Sequence, residues 1–371
     1  MSLAEVRGAA SAPGLSVRTP IGQRTPDAPR TGAAAPATYA ALDLGTNNCR
    51  LLIARPAQHG FRIVDAFSRI VRLGEGMTLS GRLSEAAMER TLAALEVCRS
   101  KMKARGVTRA RLIATEACRI AANGHEFVRR VRESTGLELE IVDRETEAHL
   151  AAGGCASLAD PQARGVLLFD IGGGSSEIVW LGPERKTAIR ATHSLVERER
   201  VRAWDSLQIG VVTLAEQFGG VDVDDAAFER MVEHVSESLS RFVSKVERQP
   251  RCGRFHLLGT SGTVTTIAGV HLDLPRYDRR QVDGLWMSAD EMDDALARLR
   301  AMPYEARAAH GCIGSDRADL VLAGCAILEA IRLAFPSERI RIADRGLREG
   351  ILMQLMNADR VWSTGGPAAR A

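Results

Sequence analysis

Aromatic residues are scarce in this chain, because Phe, Trp and Tyr together make up 4% of its 371 residues. Stacking of bases on aromatic side chains is a main source of affinity for single-stranded nucleic acid. The formal net charge of +3 at pH 7 is also too small to indicate nucleic-acid binding by itself. We therefore expect no nucleic acid among the partners of this protein.

Cysteine motifs and long apolar runs are absent as well. The 7 cysteines are scattered, with no C-x-x-C spacing and an odd total. This pattern indicates neither a zinc site nor a disulfide framework and is typical of buried thiols in a reducing compartment. No apolar run approaches the roughly 20 residues that a membrane helix needs. These absences predict a cytoplasmic protein with no membrane partner.

Residues 1–38 have no hydrophobic period and are rich in Ala, Pro, Arg, Gly and Thr. Such a segment buries too little apolar surface to offset its chain entropy, so we predict a disordered tail. Two further interpretations stay open, a loose contact with a polyanion through the arginines and an Arg-rich, acid-poor organellar transit peptide.

The most informative stretch is residues 166–181, VLLFDIGGGSSEIVWL. An apolar run predicts a buried strand, Asp170 ends it, three glycines turn the chain and a second β-prone run follows. The turn joins strand to strand, whereas the Walker loop and the dinucleotide fingerprint lead from a strand into a helix. Glycines let a polyanion approach backbone N–H groups, Ser175 and Ser176 add hydroxyl donors, and Asp170 can reach a divalent metal. The alternative is a plain Gly-rich hairpin.

A second copy of this pattern lies at residues 39–53, YAALDLGTNNCRLLI, and aligns without a gap. The interval between the copies is the size of a domain. Two such hairpins could face one another across a cleft and hold a phosphate chain from both sides. The aligned pairs are Asp43 with Asp170, Gly45 with Gly172, Asn48 with Ser175 and Arg50 with Glu177.

The rest of the chain alternates strands with helices, which predicts an α/β fold. The predicted strands are 61–71, 111–114, 138–142, 209–213 and 339–343, and the predicted helices are one capped by Ser84, one capped by Asn123, and 228–246, 316–335 and 346–356.

Two further stretches carry candidate chemistry. Residues 255–263, FHLLGTSGT, predict a strand that turns into a helix, and the N–H groups at a helix start favour anions, so Thr260 and Ser261 are phosphate-binding candidates. Residues 143–150, DRETEAHL, open a helix with three acids in or near its first turn. These acids either complement the helix dipole, or one of them reaches the cleft and orients a water.

Two Asp-hydrophobic-Gly hairpins in duplicate halves resemble the actin-like phosphotransferase superfamily. Particular strings narrow the resemblance to the exopolyphosphatase and guanosine pentaphosphate phosphohydrolase family, in its short two-domain form without C-terminal helical domains. The strings are 43–52 (DLGTNNCRLL), 114–119 (ATEACR), 145–150 (ETEAHL), 170–177 (DIGGGSSE), 259–263 (GTSGT) and 345–350 (RGLREG).

The resemblance implies duplicated actin-like, ribonuclease H-like α/β domains with a central cleft. The implied domains are 39–145 and 146–343. A C-terminal helix within 344–358 is expected to pack back on the first domain, and 359–371 is expected to be a tail. Members of the family often dimerise, so a homodimer is an expectation.

The resemblance also implies residue roles. Glu147 matches a carboxylate that activates water, and Arg119 matches a positive contact in the cleft. Glu116 stands where many members carry Ser or Asn, which adds a negative charge near the path of a polyanion. The residues implied to hold Mg²⁺ or another divalent cation, directly or through water, are Asp43, Asp170 and Glu177. The two implied phosphate loops are Gly45, Thr46, Asn47 and Asn48, and Gly172, Gly173, Gly174, Ser175 and Ser176. Arg50 has two open interpretations, a cleft contact and a structural salt bridge.

The expected function is therefore metal-dependent release of terminal orthophosphate from inorganic polyphosphate. Hydrolysis of guanosine pentaphosphate to the tetraphosphate uses the same attack on a terminal phosphoryl group and is the nearest alternative. Two alternatives from other classes stay open, a sensor that binds the alarmone nucleotide without hydrolysing it, and an ATP-dependent kinase or cytoskeletal ATPase.

Overall fold

The computed structural model describes residues 37–58, 60–183, 200–248 and 255–362. The predicted tails lie outside these residues, except for residues 37–38 and 359–362. Within the described residues, no helix combines the length and the apolar composition that crossing a bilayer requires.

The first sheet has five strands in the order β3-β2-β1-β4-β5. Strands β1, β2 and β3 are antiparallel neighbours, and β4 and β5 continue the sheet in parallel with β1. The strands are β1 Tyr39–Leu44, β2 Asn48–Pro56, β3 Phe61–Ile70, β4 Arg109–Ala114 and β5 Glu140–Ile141. Leu42, Leu44 and Leu51 are fully buried, because one face of this sheet packs on helices.

Four helices cover that face. We call the first sheet together with these four helices the first lobe. They are α1 Met77–Ser80, α2 Glu85–Ala104, α3 Glu116–Ile120 and α4 Gly124–Thr135. Ser84 caps α2 as predicted, because its side chain accepts from the N–H of Ala87. The predicted cap at Asn123 is wrong in one respect: the residue precedes α4, but its side chain binds the backbone N–H and carbonyl of Leu83.

The second sheet repeats the order of the first and adds one edge strand. Its order is β8-β7-β6-β9-β11-β10, in which β6, β7, β8, β9 and β11 take the places of β1 to β5. The strands are β6 Gly165–Ile171, β7 Ser176–Leu181, β8 Val201–Leu207, β9 Phe255–Thr260, β10 Trp286–Ser288 and β11 Arg339–Ala343. This repeat confirms the predicted duplicated α/β fold.

The helices that follow the first lobe begin with α5, which ends in a short 3₁₀ turn. They are α5 Arg144–Cys155, α6 Val211–Phe218, α7 Asp225–Glu247, α8 Gly262–His271, α9 Arg279–Val282, α10 Ala289–Ala301, α11 Tyr304–Ala309, α12 Val321–Ala334 and α13 Leu347–Ala358. We call the second sheet with α6–α12 the second lobe. Two predictions were wrong here: residues 209–210 follow β8 without being a strand, and the helix predicted from 316 begins at 321.

Helices α5 and α13 pack against each other, and α5 contributes to the hydrophobic cores of both sheets. A Cβ at Gly350 would clash with the carbonyl of Leu150, so the two helices approach closely only because a glycine stands there. Helix α13 places Ile351 and Leu352 in a cluster with the first sheet. Helix α5 contributes Leu150 to that cluster and Ala152 to a cluster on the second sheet. The domain division at residues 145 and 146 stays a prediction, because α5 serves both cores.

Candidate active site

The two Gly-rich hairpins have the same geometry. In β1–β2, Asp43 pairs with Arg50, and in β6–β7, Asp170 pairs with Glu177. Each turn is closed by the same backbone bond, from Gly45 N–H to the Asn48 carbonyl and from Gly172 N–H to the Ser175 carbonyl, both at 2.9 Å. The residues that align in the sequence therefore also make equivalent hydrogen bonds in the two turns.

The two turns lie directly against each other. A Cβ at Gly173 would lie 3.0 Å from the backbone nitrogen of Asn47, and a Cβ at Gly174 would lie 2.5 Å from Thr46 Oγ1. Because a methyl group at these positions would force the turns apart, the glycines are needed for the close approach. Thr46 Oγ1 and Asn47 Oδ1 are buried and have no hydrogen-bond partner among the described residues. Buried polar atoms without a partner are unusual, and at a cavity wall they are available to a water, an ion or a ligand.

A central cavity opens between the hairpins. Its wall contains most of the residues that the sequence predicted. These are Asp43, Gly45, Thr46, Asn47, Asn48, Glu147, Asp170, Gly172, Gly173, Gly174, Ser175, Glu177 and Ser261. The residues of the wall come from both lobes, from α5 and from α13, so the fold itself brings these distant segments together.

Four carboxylates of this wall repel one another. Burial, and next the charge of Asp43, raise the pKa of Asp170 to about 6. Burial and the charge of Asp170 raise the pKa of Glu177 to about 7. Burial also raises the pKa of Asp43, and burial and the charge of Glu177 raise that of Glu147 well above its ordinary value. A cation in the cavity would relieve this repulsion.

The carboxylates fit a hydrated divalent cation better than a closed metal cage. Among the described residues, no three His, Cys, Asp or Glu side chains are grouped as direct ligands of one ion. Mg²⁺ keeps several waters and commonly uses one or two carboxylates together with substrate phosphates. Asp43 and Asp170 match that donor set. Glu177 differs, because its Oε1 accepts from the hydroxyls of Ser175 at 2.8 Å and Ser206 at 2.9 Å.

Glu147 lies on the first turn of α5, after Asp143, whose side chain caps the helix by accepting from Thr146 N–H at 2.7 Å. The Glu147 side chain is 11% exposed, and its Oε2 accepts from Arg119 Nη2 at 3.0 Å. Arg119 is not part of the cavity wall. It contacts the cavity residue Glu147, and its predicted role as a positive contact in the cleft stays a prediction.

Two predicted phosphate ligands have structural partners instead. The hydroxyl of Ser176 donates to the Ile209 carbonyl at 2.8 Å, and the hydroxyl of Thr260 donates to the Arg345 carbonyl at 2.6 Å. Neither residue is part of the cavity wall. In this structure both hydroxyl hydrogens are thus used within the protein, and phosphate binding by Ser176 and Thr260 stays a prediction.

Two arginines converge where α8 begins. A Cβ at Gly262 would lie 3.6 Å from Arg317 Nη1 and 3.8 Å from Arg50 Nη2. Burial, and next the positive charge of Arg50, lower the pKa of Arg317. Within the described ranges, no carboxylate lies in ion-pair distance of either guanidinium, so the structural salt-bridge interpretation of Arg50 is not supported. A helix start with two nearby cations is an arrangement that favours an anion, and these groups come from both lobes.

The sequence matches the model of the Ppx/GppA phosphatase family over residues 52–359. The chain belongs to the Ppx/GppA phosphatase family. Among curated relatives of this Ppx/GppA member is the guanosine-5'-triphosphate,3'-diphosphate pyrophosphatase of Aeromonas hydrophila, 28% identical over 321 residues, which are 86% of this chain and 59% of that protein. The chain thus spans about three fifths of the length of the curated relatives it matches.

Solved structures of the Ppx/GppA family share the fold. A family member from Aquifex aeolicus is 28% identical with a TM-score of 0.69, and the match covers 87% of this chain and 99% of that one. An exopolyphosphatase from Cytophaga hutchinsonii is 23% identical with a TM-score of 0.76, and the match covers 86% and 98% of the two chains. The second likeness supports the fold alone.

One residue of this Ppx/GppA site was missed by sequence reasoning. Arg317 lies in the irregular segment before α12, where no glycine motif, strand end or helix start marks it. Its place in the cavity wall becomes visible only in the fold, which brings it near Gly262, 55 positions earlier in the chain. A local pattern carries no such signal.

Proposed function

We propose that this chain hydrolyses a terminal phosphoanhydride bond and releases orthophosphate from inorganic polyphosphate. The observation that carries the proposal is that Glu147 shares one cavity with both glycine hairpins and with Asp43 and Asp170. A phosphate chain held between the hairpins would present its end to that carboxylate.

The hairpins would bind the terminal phosphates. Backbone N–H groups of the two turns, the unpartnered hydroxyl of Thr46 and the first N–H groups of α8 are donors in or beside the cavity. Phosphoryl transfer needs little covalent chemistry from the protein, so positioning and neutralisation of the oxygen charges supply most of the rate.

Asp43 and Asp170 would hold a divalent cation, with Mg²⁺ the expected one. Both carboxylates line the cavity, and burial raises both of their pKa values, so a counter-charge stabilises their ionised forms. When bound, such a cation supplies charge neutralisation at the non-bridging phosphate oxygens.

Glu147 would orient the attacking water. In the reaction a bond forms between the water oxygen and the terminal phosphorus, and the bond from phosphorus to the bridging oxygen breaks. The proton of the water passes to Glu147 or to the released phosphate. Because Arg119 donates to Oε2 of Glu147, the positive charge of Arg119 favours the ionised carboxylate, while burial keeps it basic enough to accept a proton late in the step.

Guanosine pentaphosphate is the second candidate substrate, and one observation favours it. Arg50 and Arg317 provide an anion site at the start of α8, and a nucleotide that carries phosphates at two positions would place one phosphate chain at the hairpins and another here. The curated Aeromonas relatives are also named for a guanosine nucleotide with phosphates at both positions. A linear polyphosphate would reach this site only by following the cavity wall.

A side-by-side hydrolysis assay tests the proposal. The full chain is incubated with Mg²⁺ and long polyphosphate, short polyphosphate, guanosine pentaphosphate or ATP, and released orthophosphate is measured. We expect turnover of at least one of the first three substrates, and Glu147→Gln should lower kcat by roughly 100-fold or more while KM changes little.

Glu145→Gln is the matched control, because it makes the same change on the same helical turn at an exposed side chain. Its kcat should equal that of the wild type. Full activity of Glu147→Gln would contradict the proposed base. Binding of guanosine pentaphosphate without turnover by the wild type would indicate the sensor, and turnover of ATP alone would indicate the kinase or ATPase class.

A further inference from the structure

Four side chains of alternating charge are joined by hydrogen bonds in a series that ends at Glu147. Arg144 Nη2 donates to Glu116 Oε1 at 2.8 Å. Arg119 Nε donates to Glu116 Oε2 at 2.9 Å, and its Nη2 bonds both this carboxylate and Oε2 of Glu147, the latter at 3.0 Å. Glu116 begins α3 in the first lobe, whereas Arg144 and Glu147 lie on the first turn of α5. The network therefore joins two elements that are separate in the chain.

Glu116 is the central member of this series. It is 2% exposed, and both of its oxygens are bound to arginines. A carboxylate removed from water carries a large desolvation cost, which only well-formed bonds to opposite charges repay. Removal of either arginine would leave this buried carboxylate with too little positive charge beside it. A change at Arg144 is therefore expected to affect Arg119 through Glu116.

Arg119 is held on three sides as a result. Besides the two carboxylates, its Nη1 donates to the carbonyl of Val142 at 2.6 Å. A guanidinium is planar and presents its donors in a rigid fork, so three fixed acceptors leave it one orientation. The bond to Glu147 uses Oε2, and in the described part of the chain no hydrogen bond engages Oε1. That second oxygen is the one left for a water in the cavity.

We propose that Glu116 and Arg144 are positioning residues for Glu147, which act by holding Arg119 against its Oε2. This inference rests on the proposed function of Glu147 as the group that orients water. Without the negative charge of Glu116, two of the bonds of Arg119 lose their ionic character, and only Glu147 and the Val142 carbonyl still hold it firmly. Without Arg144, Glu116 has only Arg119 as a partner and draws it away from Glu147. In both cases the carboxylate that orients the water would lose its fixed direction.

A competing explanation is that Glu116 acts on the substrate itself. Glu116 is part of the cavity wall, and its Cγ lies 3.3 Å from the position of a Cβ on Gly174. A negative charge so close to a phosphate loop would repel a polyanion, and its removal would then tighten substrate binding. Positioning predicts a change in kcat instead, because Glu147 acts mainly in the transition state. The two explanations therefore differ in which kinetic constant moves.

The experiment compares four variants of the full chain on the substrate that the wild type hydrolyses fastest. Glu116→Gln keeps the shape and removes the charge, Arg144→Leu removes the outer partner, and Arg144→Lys keeps a positive charge there. Glu147→Gln is the reference. We expect Glu116→Gln and Arg144→Leu to lower kcat by roughly 10-fold with KM unchanged, and Arg144→Lys to recover most of the loss.

Glu140→Gln is the control, because Glu140 accepts from Arg111 Nε at 2.9 Å in an ion pair outside the cavity wall. Its kcat should stay at the wild-type value. A lower KM with unchanged kcat in Glu116→Gln would overturn the inference in favour of substrate repulsion. If both Glu116→Gln and Arg144→Leu have a lower Tm and an unchanged kcat, the network stabilises the fold without positioning Glu147, and the inference is wrong.

If Glu116→Gln does not fold, Arg144→Leu is sufficient to test the inference. The Arg144 side chain is 30% exposed and lies on a helical turn, so we expect this variant to fold. Unchanged kcat in that variant would overturn the inference. The outcome for Glu147→Gln separates this inference from the function on which it rests. If that variant is active, the proposed function fails; if it is inactive while the network variants match the wild type, only the positioning role fails.

Discussion

Arg72 of the first lobe and Asp319 of the second lobe form a bidentate ion pair. Nη1 donates to Oδ2 at 2.9 Å, and Nη2 donates to Oδ1 at 3.0 Å. Nearby, the N–H of Gly76 donates to the carboxylate of Glu216 at 2.8 Å, which is a second bond between the lobes. These bonds lie beside the central cavity and join its two sides.

Breaking this ion pair should weaken substrate binding more than it weakens the fold. Arg72 has a φ of 47°, so Arg72→Asn is the suitable change, because Asn tolerates the left-handed region. The pair is partly exposed, and we expect a loss of about 1 kcal/mol or less in the free energy of unfolding. KM should rise several-fold because the lobes are less firmly joined. Steady-state kinetics and urea unfolding measure the two effects.

Arg99→Ala is the control for that variant, since Arg99 pairs with Glu96 within one helix and joins no lobes. Its KM should match the wild type. If the KM of Arg72→Asn equals that of the wild type, the ion pair does not influence closure of the lobes around substrate.

Gly174→Ala should disrupt the contact between the two hairpins. The new methyl group would lie 2.5 Å from Thr46 Oγ1, so one of the turns must move. Overpacking of this kind typically costs about 1–3 kcal/mol. We expect a lower Tm together with a loss of activity, measured by thermal unfolding and phosphate release.

Thr46→Ala in the same chain should relieve part of the strain. The double variant should be more stable than the sum of the two single changes predicts, because the clashing atom is gone. Additive changes in stability would mean that Gly174 is needed for a reason other than its approach to Thr46.

Removal of divalent cations should destabilise the protein at neutral pH. The buried carboxylates repel one another once ionised, and burial with the charge of Asp43 already raises the pKa of Asp170 to about 6. We expect Mg²⁺ to raise Tm at pH 7.5 relative to EDTA, and Asp170→Asn to reduce that shift. Asp160→Asn serves as the control, because Asp160 pairs with Arg339 outside the cavity wall. An identical Mg²⁺ effect in Asp170→Asn and the wild type would contradict a cation at this carboxylate.

Asp65 should contribute stability that acid removes. Hydrogen bonds from Lys101 and Arg105 lower its pKa from 3.8 to about 2. A carboxyl whose pKa is lower in the folded state stabilises the fold above pH 4, and this contribution is lost as pH falls from about 4 to about 2. Asp65→Asn should therefore be less stable than the wild type in urea at pH 5, and the gap should narrow at pH 2.5. A gap that stays constant between these pH values would contradict the linkage.

Much of the fold could be predicted from the sequence because its signals are local. The apolar run before Asp170 and the glycines after it specify a strand and a tight turn whatever lies elsewhere, and the copy at Asp43 obeys the same rule. Ser84 could be identified as a cap because its partner, the N–H of Ala87, is three residues away. Predictions of this kind require knowledge only of the residues that lie close by in the chain.

Two polar side chains have hydrogen-bond partners that the sequence did not indicate. Asn123 has the right residue type and position for a cap, yet its side chain binds the backbone of Leu83, 40 residues earlier. The hydroxyl of Thr260 likewise binds a carbonyl 85 residues later. A polar side chain takes whichever partner the folded chain brings to it, and the sequence does not show that partner.

The sequence alone determined that two Asp-ended hairpins exist, that they are copies, and that an acid at Glu147 opens a helix. Only the tertiary structure decided which of these groups meet. It brought Thr46 against Gly174, paired the hydroxyl of Ser176 with the Ile209 carbonyl, and placed Arg50 and Arg317 at the start of the same helix. Hairpins and helix starts arise from short-range sterics and hydrogen bonds, whereas the cavity is made of contacts between segments far apart in the chain, which the packing of the two lobes sets.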